Sequence, residues 1–192
     1  MTLQFTDFDI QKIKDTFNCK NYFETGLWDC RSENTCRRAI KADFDKIYSL
    51  ELLESWITIG NDVLKEYIDS GLVTLINDDS NYLSKYLDKF NFDERTMFFL
   101  DAHVDNNNIK NFINKCPLEN ELASIKNMKR NDNIICIDDL RIISTYCWGE
   151  KTLGTDSNRV QLLKEKILDI NPDYKFGLLD TGFKEDVLIA YI

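Results

Sequence analysis

The stretch "MFFLDAHVDNNN" (97–108) is apolar at its first four positions, breaks at Asp101, and two residues later carries the only histidine of the chain, His103. A run that is apolar at nearly every position fits a strand buried on both faces, as in a parallel sheet covered by helices. Six further short runs share this character: "NYFET" (21–25), "KIYSLE" (46–51), "LVTLI" (72–76), "IICID" (134–138), "KFGLL" (175–179) and "VLIAYI" (187–192). Between them lie segments with apolar residues at helical spacing. "ELLESWITIGNDVLKEYIDSG" (51–71) stops at Gly71. "PLENELASIKNMKR" (117–130) opens on a proline suited to a first turn. "SNRVQLLKEKILDINP" (157–172) has a capping residue in front and ends before Pro172. Alternation of this kind predicts an open α/β sheet with right-handed crossovers. Too little chain separates the last two runs for a crossover helix, so they are expected to pair antiparallel around the turn at Asp180–Gly182.

The totals are those of an ordinary globular chain. Its 192 residues are 43% hydrophobic and 12% aromatic, which suits one domain with a substantial core. The expected organisation is a single domain over 1–192, with a helical segment at 1–20 and a Rossmann-like core over 21–192. No run of 18 apolar residues suggests a membrane span, and the first residues lack a signal-peptide pattern. With 33 acids against 24 bases and a net charge of −9, no basic stripe invites nucleic acid. The six cysteines show no C-x-x-C pair, so reduced thiols in an intracellular, cytoplasmic protein are expected rather than a disulfide framework.

The acids fall where the strands end. Glu24 closes the first run, Glu51 the second, Asp101 the fourth, and Asp138 and Asp139 the fifth, while Asp78 and Asp79 follow the third. Ligands of open parallel sheets bind outside the carboxyl ends of the strands, so these carboxylates predict one crevice. Glu51 suits the two hydroxyls of a ribose, or equally the positive end of the following helix. Asp101, Asp138 and Asp139 on adjacent strand ends would repel unless a proton, a base or a cation neutralised them. Oxygen-only ligands suit a hard ion such as Mg²⁺ or Ca²⁺; a salt bridge to Arg141 is the competing reading. His103 stands either as an incidental loop residue or as a proton acceptor for a substrate hydroxyl.

Taken together, these stretches resemble the class I S-adenosylmethionine-dependent methyltransferases, and among them the small-molecule and sugar O-methyltransferases. "FETGLWDCRS" (23–32) looks like the loop that cradles the cofactor's amino-acid part, and "KIYSLE" like the second strand with its ribose-binding acid. "LINDDSNYL" (75–83) looks like the third-strand segment near the adenine. "FFLDAHVD" (98–105) and "CPLENELASI…NIICIDDLR" (116–141) resemble the paired LDAH and IDD motifs. The resemblance implies a mostly parallel seven-stranded sheet with an antiparallel last strand and helices on both faces. It implies S-adenosylmethionine as cofactor, held by Glu24, Thr25, Gly26, Ser32, Glu51, Asp79 and Ser80. It also implies a divalent metal, Mg²⁺ foremost, on Asp101, Asp138 and Asp139, and catalysis by Asp101 and His103.

The implied reaction is methylation of a hydroxyl on a sugar, glycan or similar polyol. The acceptor would be bound by the loops 104–116 and 144–156, where Tyr146 and Trp148 could stack on a ring. Two departures stand out: Cys30 takes the place of a second loop glycine, and Asp78 that of a glycine before the Asp–Ser pair. They keep open a non-catalytic methyltransferase-like binding module. A metal-dependent hydrolase is a third reading, which leaves Glu24, Gly26 and Glu51 without a role.

Overall fold

The computed structural model describes residues 3–90, 92–102, 116–145 and 159–192. Each apolar run becomes a strand within a residue of its expected position: β1 (Asn21–Thr25), β2 (Lys46–Glu51), β3 (Val73–Asn77), β4 (Thr96–Leu100), β5 (Ile134–Ile137), β6 (Lys175–Leu179) and β7 (Val187–Tyr191). They form one sheet in the order β3-β2-β1-β4-β5-β7-β6. The first five pair parallel, and β7 runs antiparallel to both β5 and β6. This is the mostly parallel sheet with an antiparallel last strand that the resemblance implies.

The helices are α1 (Ile10–Phe17), α2 (Thr35–Lys41), α3 (Glu54–Val63), α4 (Lys65–Asp69), α5 (Ser84–Leu87), α6 (Leu118–Lys126), α7 (Leu140–Thr145) and α8 (Arg159–Leu168), with a 3₁₀ turn at Ser80–Tyr82. The side chain of Asp9 caps α1 by accepting the N–H of Lys12, and Asn18 ends that helix in the left-handed region. The segment expected as one helix over 51–71 is two. At the fully buried Leu64 the backbone leaves helical geometry (φ −104°, ψ 15°), and α4 starts afresh.

Alternation along the strands sorts the core into two layers. Phe23, Leu50, Phe98, Leu100, Ile135 and Ile137 point to the face covered by α5, α6, α7 and α8. Tyr22, Ile47, Met97, Phe99, Ile134 and Cys136 point to the face covered by α1, α2 and α3. The central strands β1, β4, β5 and β7 are buried throughout, which explains why their sequences do not alternate. The five described cysteines are free and buried. Among the described residues, no helix is long and apolar enough to cross a membrane.

Candidate active site

Strand order reverses between β1 and β4, and at such a point the loops diverge and leave a crevice. Thr25 is in register with Leu100, and Leu100 with Ile137, so Gly26, Asp101 and Asp138 follow side by side. The ladder continues one step beyond the strands. The N–H of Asp101 donates to the Thr25 carbonyl at 3.1 Å, and that of Asp138 to the Leu100 carbonyl at 3.2 Å. Gly26 turns here with φ +90°, and a Cβ on it would lie 2.7 Å from the Asp101 carbonyl oxygen. Both the dihedral and the close approach require glycine.

The next turn of the loop is held by Glu51 at the end of β2. One carboxylate oxygen accepts the N–H groups of Leu27 (3.0 Å) and Trp28 (3.1 Å), and the other accepts that of Leu53 at 2.8 Å. The left-handed residue of this loop is Trp28, at φ 55°, while Cys30 keeps a negative φ and is fully buried. The departure from glycine noted at Cys30 therefore falls on a core residue, and the backbone strain is carried two positions earlier. Trp28 is 59% exposed and packs its indole on Trp56, with centroids 5.3 Å apart. Ser32 stands exposed on the turn before α2. Asn34 ties that segment down, donating to the Leu27 carbonyl and accepting from Arg37 N–H.

After β3, Asp78 accepts the Tyr86 hydroxyl at 2.7 Å and the Lys85 ammonium at 3.2 Å. Burial would raise its pKa, but these bonds and the Asp79 N–H hold it below the usual value. Asp79 caps the 3₁₀ turn, accepting both the backbone and the side-chain N–H of Asn81. Ser80 is buried beside it.

Beyond β4 and β5, burial together with the neighbouring Asp101 charge pushes Asp138 up to about 7. Asp139 adopts a left-handed φ of 58°, and its carboxylate pairs with Arg141. The same guanidinium pairs with Asp186, whose carboxylate also accepts the Arg141 N–H at 3.1 Å. The salt bridge weighed against a metal is thus present at Asp139. Asp186 escaped the sequence reading because it lies 45 residues from Arg141. The signal was there, since an antiparallel last strand must begin at the edge where its parallel neighbours end. Carboxylate oxygens of Asp138, Asp139 and Asp186 lie within 4.8 Å of one another. Two of these three carboxylates already share the Arg141 guanidinium, and Asp101 adjoins Asp138; an all-oxygen donor set of this kind suits a hard divalent cation.

Two acids lie deeper. Glu24 is fully buried, accepting the Ser49 hydroxyl at 2.7 Å and the Tyr22 hydroxyl at 3.0 Å; burial raises it to about 7. It thus braces the base of the loop from within. Glu121 on α6, which the sequence reading did not single out, is equally buried, and burial raises it to about 8. His103, Tyr146 and Trp148 lie outside the described residues.

Comparison with solved structures agrees with this fold. The O-methyltransferase from Bacillus cereus, solved with S-adenosylhomocysteine, aligns with a TM-score of 0.59 at 16% identity, over 95% of this chain and 78% of that one. TomG from Streptomyces achromogenes, an O-methyltransferase of tomaymycin synthesis solved with S-adenosylmethionine, gives 0.61 at 13%, over 95% and 77%. The methyltransferase PaMTH1 from Podospora anserina, bound to S-adenosylhomocysteine, gives 0.53 at 15%, over 94% and 75%. No protein-family model and no curated protein matches the chain. At these identities the likeness establishes the fold, that of the class I S-adenosylmethionine-dependent methyltransferases.

Proposed function

We propose that the chain is an S-adenosylmethionine-dependent O-methyltransferase acting on a hydroxyl of a sugar, glycan or similar polyol, assisted by a divalent metal, Mg²⁺ foremost. The observation that carries this reading is the meeting of Asp101 and Asp138 at the switch-point crevice, beside a glycine loop clamped by Glu51. The bound cofactor would supply a methyl group on a sulfonium for in-line displacement, and the cation would make the acceptor hydroxyl more acidic.

The chain's own residues supply the rest. Glu24, Thr25 and Gly26 would bring backbone up to the cofactor's amino-acid end, and Glu51 would fix the loop beside its ribose. Asp79 and Ser80 would flank its purine. Asp101 and Asp138 offer oxygen ligands at the mouth, with Asp139 as the third, already steadied by Arg141. His103, two residues beyond Asp101, would accept the hydroxyl proton. Alignment of hydroxyl and methyl contributes much of the rate.

Turnover of a polyol acceptor is expected to vanish in Asp101→Ala and His103→Ala while thermal melting stays cooperative. Activity surviving both changes refutes the roles assigned. A second reading, a binding module without catalysis, is favoured by the left-handed Trp28 in the cofactor loop. It predicts cofactor-independent ligand binding.

A further inference from the structure

One side chain beside the strand-end acids is itself a cation. Arg141 lies in the first turn of α7, and its Nη1 nitrogen pairs with a carboxylate oxygen of Asp139 and with one of Asp186. These are the acids that, with Asp138, bring their oxygens within 4.8 Å of one another. A cation bridging two of the three is therefore already part of the chain. The two acids differ in what else they do. Asp186, 1% exposed, also accepts the backbone N–H of Arg141 at 3.1 Å, so it anchors the residue twice. Asp139 follows Asp138, whose carboxylate feels the charge of Asp101, and belongs with both to the proposed ligand set. The Arg141 side chain is 40% exposed, and its guanidinium carbon lies 4.1 Å from the ring centroid of the exposed Phe183. A guanidinium this open, with an aromatic face and a second carboxylate beside it, has other contacts to keep when it leaves Asp139.

We propose that Arg141 is a built-in place-holder for the divalent ion: it pairs with Asp139 while no metal is bound, gives that carboxylate up when the ion enters, and so sets the ion's affinity. This rests on the reading of Asp101, Asp138 and Asp139 as the ion's ligands. Carboxylates gathered at this edge are costly without a positive charge among them, and the guanidinium supplies one to the metal-free chain. The same charge works against the ion. A dication and a guanidinium that seek one carboxylate repel each other, and at contact distances water screens that repulsion only in part. Asp186 makes the exchange reversible, since it keeps the displaced guanidinium beside the site with a counter-ion of its own.

The test is Mn²⁺ titration of the wild type and Arg141→Gln by water-proton relaxation, with thermal melting of each protein with and without the metal. Glutamine removes the competing charge, so Mn²⁺ should bind about tenfold more tightly. The metal-free variant should melt lower, because the buried Asp186 has lost its cation, and saturating Mn²⁺ should raise its melting temperature by more than the wild type's. A second readout needs no variant and decides the matter if Arg141→Gln does not fold. Phenylglyoxal, an arginine-selective reagent, should modify Arg141 of the wild type faster when Mn²⁺ is bound, as read by mass spectrometry of the peptide that carries it. Equal or weaker Mn²⁺ binding by a folded Arg141→Gln, no greater stabilisation of it by the metal, or labelling of Arg141 that Mn²⁺ slows or leaves unchanged overturns the inference while leaving the metal assignment intact. Failure of the wild type to bind Mn²⁺ at all overturns the metal assignment, and this inference with it.

Discussion

Gly26 passes so close to Asp101 that a side chain would place its Cβ 2.7 Å from the Asp101 carbonyl oxygen. The loop after β1 and the end of β4 are thereby set against each other, and the crevice takes its shape from that contact.

Gly26→Ala is accordingly expected to do damage out of proportion to one methyl. It meets backbone rather than a yielding side chain, and it must also adopt φ +90°. A cost of about 1–3 kcal/mol follows. Chemical denaturation should show it as a lowered midpoint, with S-adenosylhomocysteine affinity lowered further as the loop shifts.

Glu51→Gln tests the clamp. The carboxylate accepts three backbone N–H groups, two on one oxygen and one on the other. A glutamine can serve one side only, and its amide turns a donor towards a donor on the other. We expect a loss of about 1–3 kcal/mol in stability. Exchange protection of the Leu27 and Trp28 amides, measured by hydrogen–deuterium exchange, should fall as well.

Stability should decline as pH rises through neutrality. Burial raises Glu121 from 4.5 to about 8, with Asp79 and Asp101 adding to it and Ser80 and Thr25 opposing. Glu24 rises to about 7, again through burial, with Asp101 adding and Ser49, Thr35 and Tyr22 opposing. Both groups hold a proton in the folded chain that the unfolded chain has already released. Their contribution is therefore full below the unfolded value and is lost as pH climbs through the folded values. Glu121→Gln removes one such proton, so the slope of unfolding free energy should flatten by up to about 1.4 kcal/mol per pH unit between about pH 5 and pH 8. Urea titrations at several pH values read it directly; an unchanged slope would show that Glu121 is ionised in the folded chain.

Asp138→Asn should weaken binding of Mn²⁺, a paramagnetic stand-in for Mg²⁺, by about a hundredfold. It should leave stability equal or higher, because it removes a buried acid crowded by Asp101. Water-proton relaxation enhancement reports the metal, and thermal melting reports the fold. Metal affinity unchanged by the substitution would place the cation elsewhere.

The strands were legible because each carries its own signal. "NYFET", "KIYSLE" and "KFGLL" coincide with β1, β2 and β6, since a strand buried on both faces is apolar without interruption. The strand-end acids were legible for the same reason, as breaks in those runs. What escaped were relationships made only by folding. Asp186 and Arg141 meet because β7 starts where β5 ends. Glu121 carried no signal of its own in the sequence, and only the packing of α6 against the 3₁₀ turn buries it. Trp28 gave no hint of a left-handed backbone, because nothing local in tryptophan favours one.

The most direct test of the central claim is a calorimetric titration of the purified protein with S-adenosylhomocysteine. The proposed site predicts saturable binding at one site per chain, in the micromolar range, weakened by Gly26→Ala. No binding at high micromolar ligand, from a protein that melts cooperatively, would contradict the assignment of this crevice to the cofactor.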